Sequence, residues 1–161
     1  MVRHTAEAIL KSSVRPVLVV TGHEADEVKA ALRDLPVTFH HAPDFADGMS
    51  ASLKAGISSV PAGCAAALIC LGDMPFVRAG TLDRLAQFHA DQAALFPTYE
   101  GKRGNPVLLA RSLFAGIMAL SGDEGARSLL RTIPDQVAEL PVDDPGILRD
   151  VDRPDALGHT L

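Results

Sequence analysis

The chain has 161 residues, a net charge of −5, and 47% apolar residues of which very few are aromatic. A chain of that length makes one domain by default and buries roughly 70% of the surface its unfolded form would expose. With no block of Lys or Arg to release counterions from a phosphate backbone, and no segment near the ~20 apolar residues that a bilayer span needs, composition argues against nucleic acid and membrane as partners.

The apolar residues are mostly Ala, Val, Leu and Ile, the palette of helices packed on a largely parallel sheet. Cys64 and Cys70 are the only cysteines, too few for a disulfide framework and without zinc-site spacing. Cys70 sits inside an apolar run, where it reads as a small buried thiol. The opening Met1 to Glu7 lacks the apolar core of a secretion signal, so the cytoplasm is the expected location.

In chain order, periodicity predicts a short helix from Thr5 to Lys11 and a buried strand at Pro16 to Val20 that ends in Thr21-Gly22. Val28, Ala31, Leu32 and Leu35 recur at helical spacing, and Val37 to His40 follows as a second strand. His40 and His41 point to opposite faces of that strand and so do not form a pair. Asp47-Gly48 precedes a helix with Met49, Leu53 and Ile57 on one face, Met49 being read as core. Ala65 to Leu71 is the most apolar strand and stops at Gly72-Asp73-Met74-Pro75. Thr81 is a candidate cap for a helix burying Leu82, Leu85 and Phe88. A strand at Ala94 to Pro97, the turn Tyr99 to Asn105 and a returning strand at Pro106 to Leu109 come next. Two helical patterns follow, near Phe114 to Leu120 and after Ser121, where Ser121 and Glu124 suit a capping box. The tail alternates Val137, Leu140 and Val142 with polar residues and reaches Asp150-Val151-Asp152.

Strands alternating with helices imply β-α-β topology, in which ligands sit outside the carboxyl ends of the strands. Asp73 lies just past the most apolar strand, where a carboxylate can bridge a hard cation to phosphates; a loop aspartate capping its own turn would look the same. Asp150 and Asp152 flank Val151, so alternation puts both on one face while Val151 points to the core. If the tail returns to the sheet centre, Asp150 reaches Asp73, and two carboxylates that leave room for water and phosphate oxygens suit Mg²⁺. Asp152 before Arg153-Pro154 reads better as a helix cap. Gly101, Arg103, Gly104 and Asn105 form a turn able to approach an anion and hydrogen-bond a polar ring, though a solvated hairpin has the same composition. Gly48, Ser50 and Ser52 open one helix and Gly122 to Arg127 another, and helix amino-termini favour anions. No G-x-G-x-x-G or Walker-type sequence is present.

Val19 to His23, Asp47 to Leu53, Leu71 to Pro75, Gly101 to Val107 and Asp150 to Pro154 together resemble the MobA-like NTP transferase family in order and spacing, over essentially the whole chain. The likeness is nearest to the molybdenum cofactor cytidylyltransferase branch, some members of which follow a molybdopterin-binding domain. It implies one domain over residues 1–161 with a three-layer α/β/α, mostly parallel, nucleotide-diphospho-sugar transferase-like fold. The implied reaction is Mg²⁺-dependent transfer of CMP or GMP from CTP or GTP to molybdopterin. By the same likeness Asp73 and Asp150 are the metal ligands, Gly101, Arg103 and Asn105 hold the pterin, and Gly48, Ser50 and Ser52 line the nucleotide side. A molybdopterin-binding domain or a molybdoenzyme chaperone is the implied protein partner.

One family element is not found. The family opens with a strand and a Leu-Ala-Ala-Gly type loop that cradles the triphosphate, whereas Met1 to His4 resembles the start of the family's first helix, so roughly forty residues of the opening β-α unit have no counterpart. Since that strand lies mid-sheet, the strands at Val17 and Leu68 are expected either to pair directly or to be completed by another chain. Two other readings remain: a noncatalytic domain that binds pterin or a partner, and a CTP-dependent enzyme for another small phosphate.

Overall fold

The computed structural model describes residues 1–87 and 92–151. Phe88 and Asp152, singled out from the sequence, lie outside the described residues. Helix α1 (Val2–Leu10) leads to β1 (Leu18–Thr21), α2 (Ala25–Leu32) and β2 (Thr38–His41). A 3-10 turn at Phe45–Asp47 precedes α3 (Met49–Ser58), β3 (Ala66–Ile69), α4 (Ala79–Gln87), β4 (Ala94–Tyr99), β5 (Lys102–Arg103) and β6 (Val107–Ala110). Then come α5 (Phe114–Met118), α6 (Arg127–Arg131), β7 (Val137–Pro141) and a 3-10 turn at Pro145–Leu148.

The strands form two sheets, β1-β2 and a five-stranded sheet in the order β3-β6-β4-β5 with β7 also on β4. β1 and β2 are parallel, as are β4 and β7 over Ala94↔Val137 to Thr98↔Pro141. β6 runs antiparallel between β3 and β4, so β3, β4 and β7 share one direction. Successive side chains of a strand point to opposite faces, and the core divides accordingly. Ala67, Ile69, Phe96 and Val137 pack with Ile57 of α3, Phe114 and Ile117 of α5 and Leu130 of α6. Leu68, Cys70, Tyr99 and Leu140 pack on the other side with Ile9 of α1, Leu82 of α4, Met74 and Ile147. Helices on both faces make the three-layer α/β/α arrangement expected from the alternation of elements. Leu82, Leu85, Leu95, Leu109 and Ile117 are fully buried, each worth about 1.5–3 kcal/mol relative to exposure.

Several local expectations are corrected. Thr81 lies inside α4, and its hydroxyl donates to Asp144 Oδ2 at 2.6 Å; the amide of Arg78, one residue before the helix, donates to the same oxygen at 2.9 Å. The cap therefore comes from a carboxylate far along the chain. The Ser121 and Glu124 box does not form, because α6 starts only at Arg127, after Ala126, and Glu124 instead meets Arg131 at 3.3 Å. Met49, expected in the core, is 58% exposed.

Between the two sheets the chain is open. β1 and β3 are not hydrogen-bonded to each other, which removes direct pairing as the way this sheet is completed. A largely apolar cavity of about 1110 Å³ separates them, lined by Leu18, Val20, Leu68 and Cys70 from the strands and by Leu53 and Ile57 from α3. Burial in this region pushes the Cys70 thiol up to about 12.

Candidate active site at the end of β3

Beyond Ile69 the chain turns sharply, with the Met74 amide donating to the Leu71 carbonyl at 3.3 Å and the Thr5 hydroxyl of α1 donating to the Gly72 carbonyl at 2.8 Å. Met74 and Val77 are buried and hold the turn against the core. Asp73 is left between these anchors with its Oδ1 buried and without a hydrogen-bond partner. A buried oxygen with no donor costs about 1–3 kcal/mol, and more when the group carries charge. The site therefore calls for something positive beside Asp73.

The far end of the described chain meets this turn. The Val151 amide donates to the Asp73 carbonyl at 2.8 Å, Val151 is buried at 4% exposure, and Asp150 precedes it with its side chain on the exposed surface. The two carboxylates expected at one sheet edge are thus carried by segments joined backbone to backbone. Among the described residues no group of three or more His, Cys, Asp or Glu is placed to hold a metal ion. Two carboxylates with open positions suit a hard cation that keeps water and phosphate oxygens as its other ligands.

The route that brings Asp150 here rests on residues that sequence reading passed over. Asp144 is 1% exposed and accepts from the Arg78 amide, the Thr81 hydroxyl and, at 3.0 Å, the Gly146 amide. Gly146 packs so tightly on the Phe76 carbonyl that any side chain would collide with it. Asp-Pro-Gly is a turn signature, so Asp144-Pro145-Gly146 was visible as a turn, but its partner α4 was not. Gly104 belongs to the same assembly: a Cβ there would strike the Ile147 carbonyl, which also accepts from the Asn105 amide at 2.9 Å. Its small size lets the 3-10 turn close on the β5 hairpin.

The remaining candidates divide. Gly101 has a φ of 75° at the exposed hairpin tip, a conformation glycine adopts at little cost. Arg103 is half exposed; its Nε donates to Glu139 Oε1 at 2.5 Å, and its guanidinium lies 5.1 Å from the Phe96 ring centroid. Arg103, Asn105 and Ser52 line the cavity beside β3, as does Gly72, whereas Asp73, Gly48, Ser50 and Gly101 do not. Gly48 has a φ of 108° and abuts the Gly122 carbonyl and Asp123 carboxylate, and the Ser50 amide donates to Gly122 at 3.1 Å. Ser50 Oγ is buried with no partner. The segment Gly122 to Gly125, read as an anion-binding helix start, thus packs its own acceptors against the start of α3.

The profile of the MobA-like NTP transferase domain matches residues 1–139. No curated protein matches the sequence. Among solved structures, the manganese complex of Rv0371c from Mycobacterium tuberculosis H37Rv superposes with a TM-score of 0.82 at 24% identity, covering 98% of this chain and 83% of that one. A nucleotidyl transferase from Methanothermobacter thermautotroptrophicus, Mth528, gives 0.79 at 27% identity over 94% of this chain and 74% of that one. Molybdopterin-guanine dinucleotide biosynthesis protein A of Archaeoglobus fulgidus gives 0.61 at 20% identity over 93% and 79%. That match spans most of the chain, on an α/β core with helices on both faces of its sheet, and the chain belongs to the MobA-like NTP transferase family.

Proposed function

We propose that this domain joins a nucleotide to molybdopterin, transferring CMP or GMP from the triphosphate with Asp73 and Asp150 holding Mg²⁺. The observation that carries the reading is the buried, unpartnered Oδ1 of Asp73 beside the backbone bond from Val151 to Asp73. A bound divalent cation neutralises charge on the reacting phosphates. The chain's own part is positioning: Asp73 held by the turn after β3, and Asp150 held through Val151. The acceptor's terminal phosphate oxygen bonds to the α-phosphorus of the triphosphate, the bond from that phosphorus to the bridging oxygen breaks, and pyrophosphate leaves with the electron pair. No side-chain nucleophile is required.

On this reading Gly101, Arg103 and Asn105 hold the pterin, and Gly48, Ser50 and Ser52 line the nucleotide side. The location of Arg103 and Asn105 on the cavity wall supports the first assignment, and the unpartnered Ser50 Oγ supports the second. A cytoplasmic setting and a molybdopterin-binding domain or molybdoenzyme chaperone as partner complete the proposal.

Manganese titration of the 161-residue protein, followed by electron paramagnetic resonance, tests the metal site. Saturable binding that Asp73→Asn removes while the far-ultraviolet dichroism stays unchanged is the expected result. Equal binding by wild type and Asp73→Asn ends the proposal. With CTP or GTP and molybdopterin, release of pyrophosphate tests the substrate assignment separately.

A further inference from the structure

The turn that carries Asp73 and the segment that carries Asp150 meet at three places, two of them on Phe76. Gly146 abuts the Phe76 carbonyl with no room for a side chain. Three residues on, the Arg149 guanidinium lies over the Phe76 ring, 4.4 Å from its centroid. Two residues further, the Val151 amide donates to the Asp73 carbonyl at 2.8 Å. Asp150 therefore stands between two anchored residues, past the end of the 3-10 turn at Leu148. Arg149 has extended backbone, with φ −115° and ψ 103°, so alternation sends the side chains of Arg149 and Val151 to one side and that of Asp150 to the other. The burial of Val151 and the exposure of Asp150 agree with that alternation. Arg149 is itself exposed, so the ring and not burial fixes its place.

We infer that the stack of Arg149 on Phe76 is a latch that sets where Asp150 stands relative to Asp73, which makes Arg149 and Phe76 positioning residues of the metal site. In its consequence for the metal, the latch rests on the two-carboxylate reading proposed above. A guanidinium on a ring face is held by the attraction of the cation for the negative face of the ring and by the stacking of two planes. At an exposed site such a contact shifts an equilibrium about two- to fivefold. That is little for the stability of a whole fold. At a site made of two carboxylates on separate segments, it changes how often both face one ion. The Asp144 turn and Gly146 bring the chain to Phe76, and Arg149 fixes the stretch past that turn. Arg149 is no ligand for a cation, and its charge beside Asp150 opposes metal binding. Removing Arg149 therefore has two opposite consequences for the metal, whereas removing the ring has one.

A double-mutant cycle on the 161-residue protein separates these, with manganese affinity read by electron paramagnetic resonance and the Val151 amide read by hydrogen exchange. Phe76→Leu keeps an apolar side chain and should weaken manganese binding about two- to fivefold, while Phe76→Tyr, which keeps the ring, should bind as wild type does. In an Arg149→Ala background Phe76→Leu should have no further effect. The Val151 amide should exchange about two- to fivefold faster in Phe76→Leu and in Arg149→Ala alike, and no faster still in the double variant. A Phe76→Leu effect of the same size with and without Arg149 overturns the inference. So does unchanged Val151 exchange in Arg149→Ala, an exposed change that leaves the core intact. Asp73→Asn tells the two levels apart: manganese binding that survives it removes the two-carboxylate reading, and the latch then stands or falls on the exchange of Val151.

Discussion

Leu95 and Leu68 are both leucines in the middle of apolar strands, yet one is 1% exposed and the other only half-buried. Leu95 lies on β4, which has β6 on one side and β7 on the other, and Leu68 lies on β3, which among the described residues has β6 alone. The difference teaches that burial in a sheet is decided by how many neighbours a strand has, and not by how apolar its own residues are. The β4 side of the molecule is finished; the β3 side is finished only on one edge. The candidate carboxylates sit at the end of the unfinished strand.

That contrast has a direct thermodynamic consequence. Leu109, fully buried on β6 between the two regions, should lose about 2–5 kcal/mol on change to Ala, through lost transfer energy and the cavity left behind. Leu68→Ala should cost about 1 kcal/mol or less, because much of its side chain is not withdrawn from water. Urea unfolding monitored by circular dichroism measures both, with equal slopes required for the comparison. Comparable losses would show that the β3 side is as well packed as the β4 side and would erase the contrast.

Much of this layout was readable from the chain, and the unreadable parts have a common cause. The run Ala65 to Leu71, the stop at Asp73 and the inward faces of Leu82 and Leu85 follow from local periodicity and turn chemistry, and the structure bears them out. Met49 is exposed where helical spacing predicts core, because spacing gives the face of α3 but not how far the opposing layer extends. The sequence offers Arg103 as part of an anion-approaching turn and gives no sign of Glu139; their pairing depends on β5 and β7 both flanking β4, a register no local signal encodes. Asp144 and Gly146 likewise act through α4 and Phe76, more than sixty residues away along the chain.

Asp144 carries the next largest effect. Asp144→Asn keeps one acceptor and loses the charge at the start of α4, for a loss of about 1–3 kcal/mol from imperfectly satisfied buried donors. Because the Asp144 turn sets the path of the chain to Val151, the same change should weaken manganese binding although it leaves Asp73 and Asp150 in place. It is a positioning residue, and the readout that distinguishes it from a merely stabilising one is metal affinity measured well below the unfolding transition. Unchanged affinity in a folded Asp144→Asn protein would separate the turn from the site.

The smallest effect lies at the surface contact that ties the end of α1 to α4. Asp83 Oδ1 accepts from both the Ser13 amide and the Ser13 hydroxyl at 2.7 Å, and these bonds hold its carboxyl below the usual value of 3.8. A carboxyl whose folded-state value lies below its unfolded one stabilises the fold above the ordinary carboxylate range, and that stability is lost as pH falls through the folded value. Asp83→Asn should therefore lower the Tm slightly at neutral pH, and the gap from wild type should close as the pH is brought down into and below the carboxylate range. A gap of constant size across that range would mean that the carboxylate form of Asp83 is not what the Ser13 contact favours.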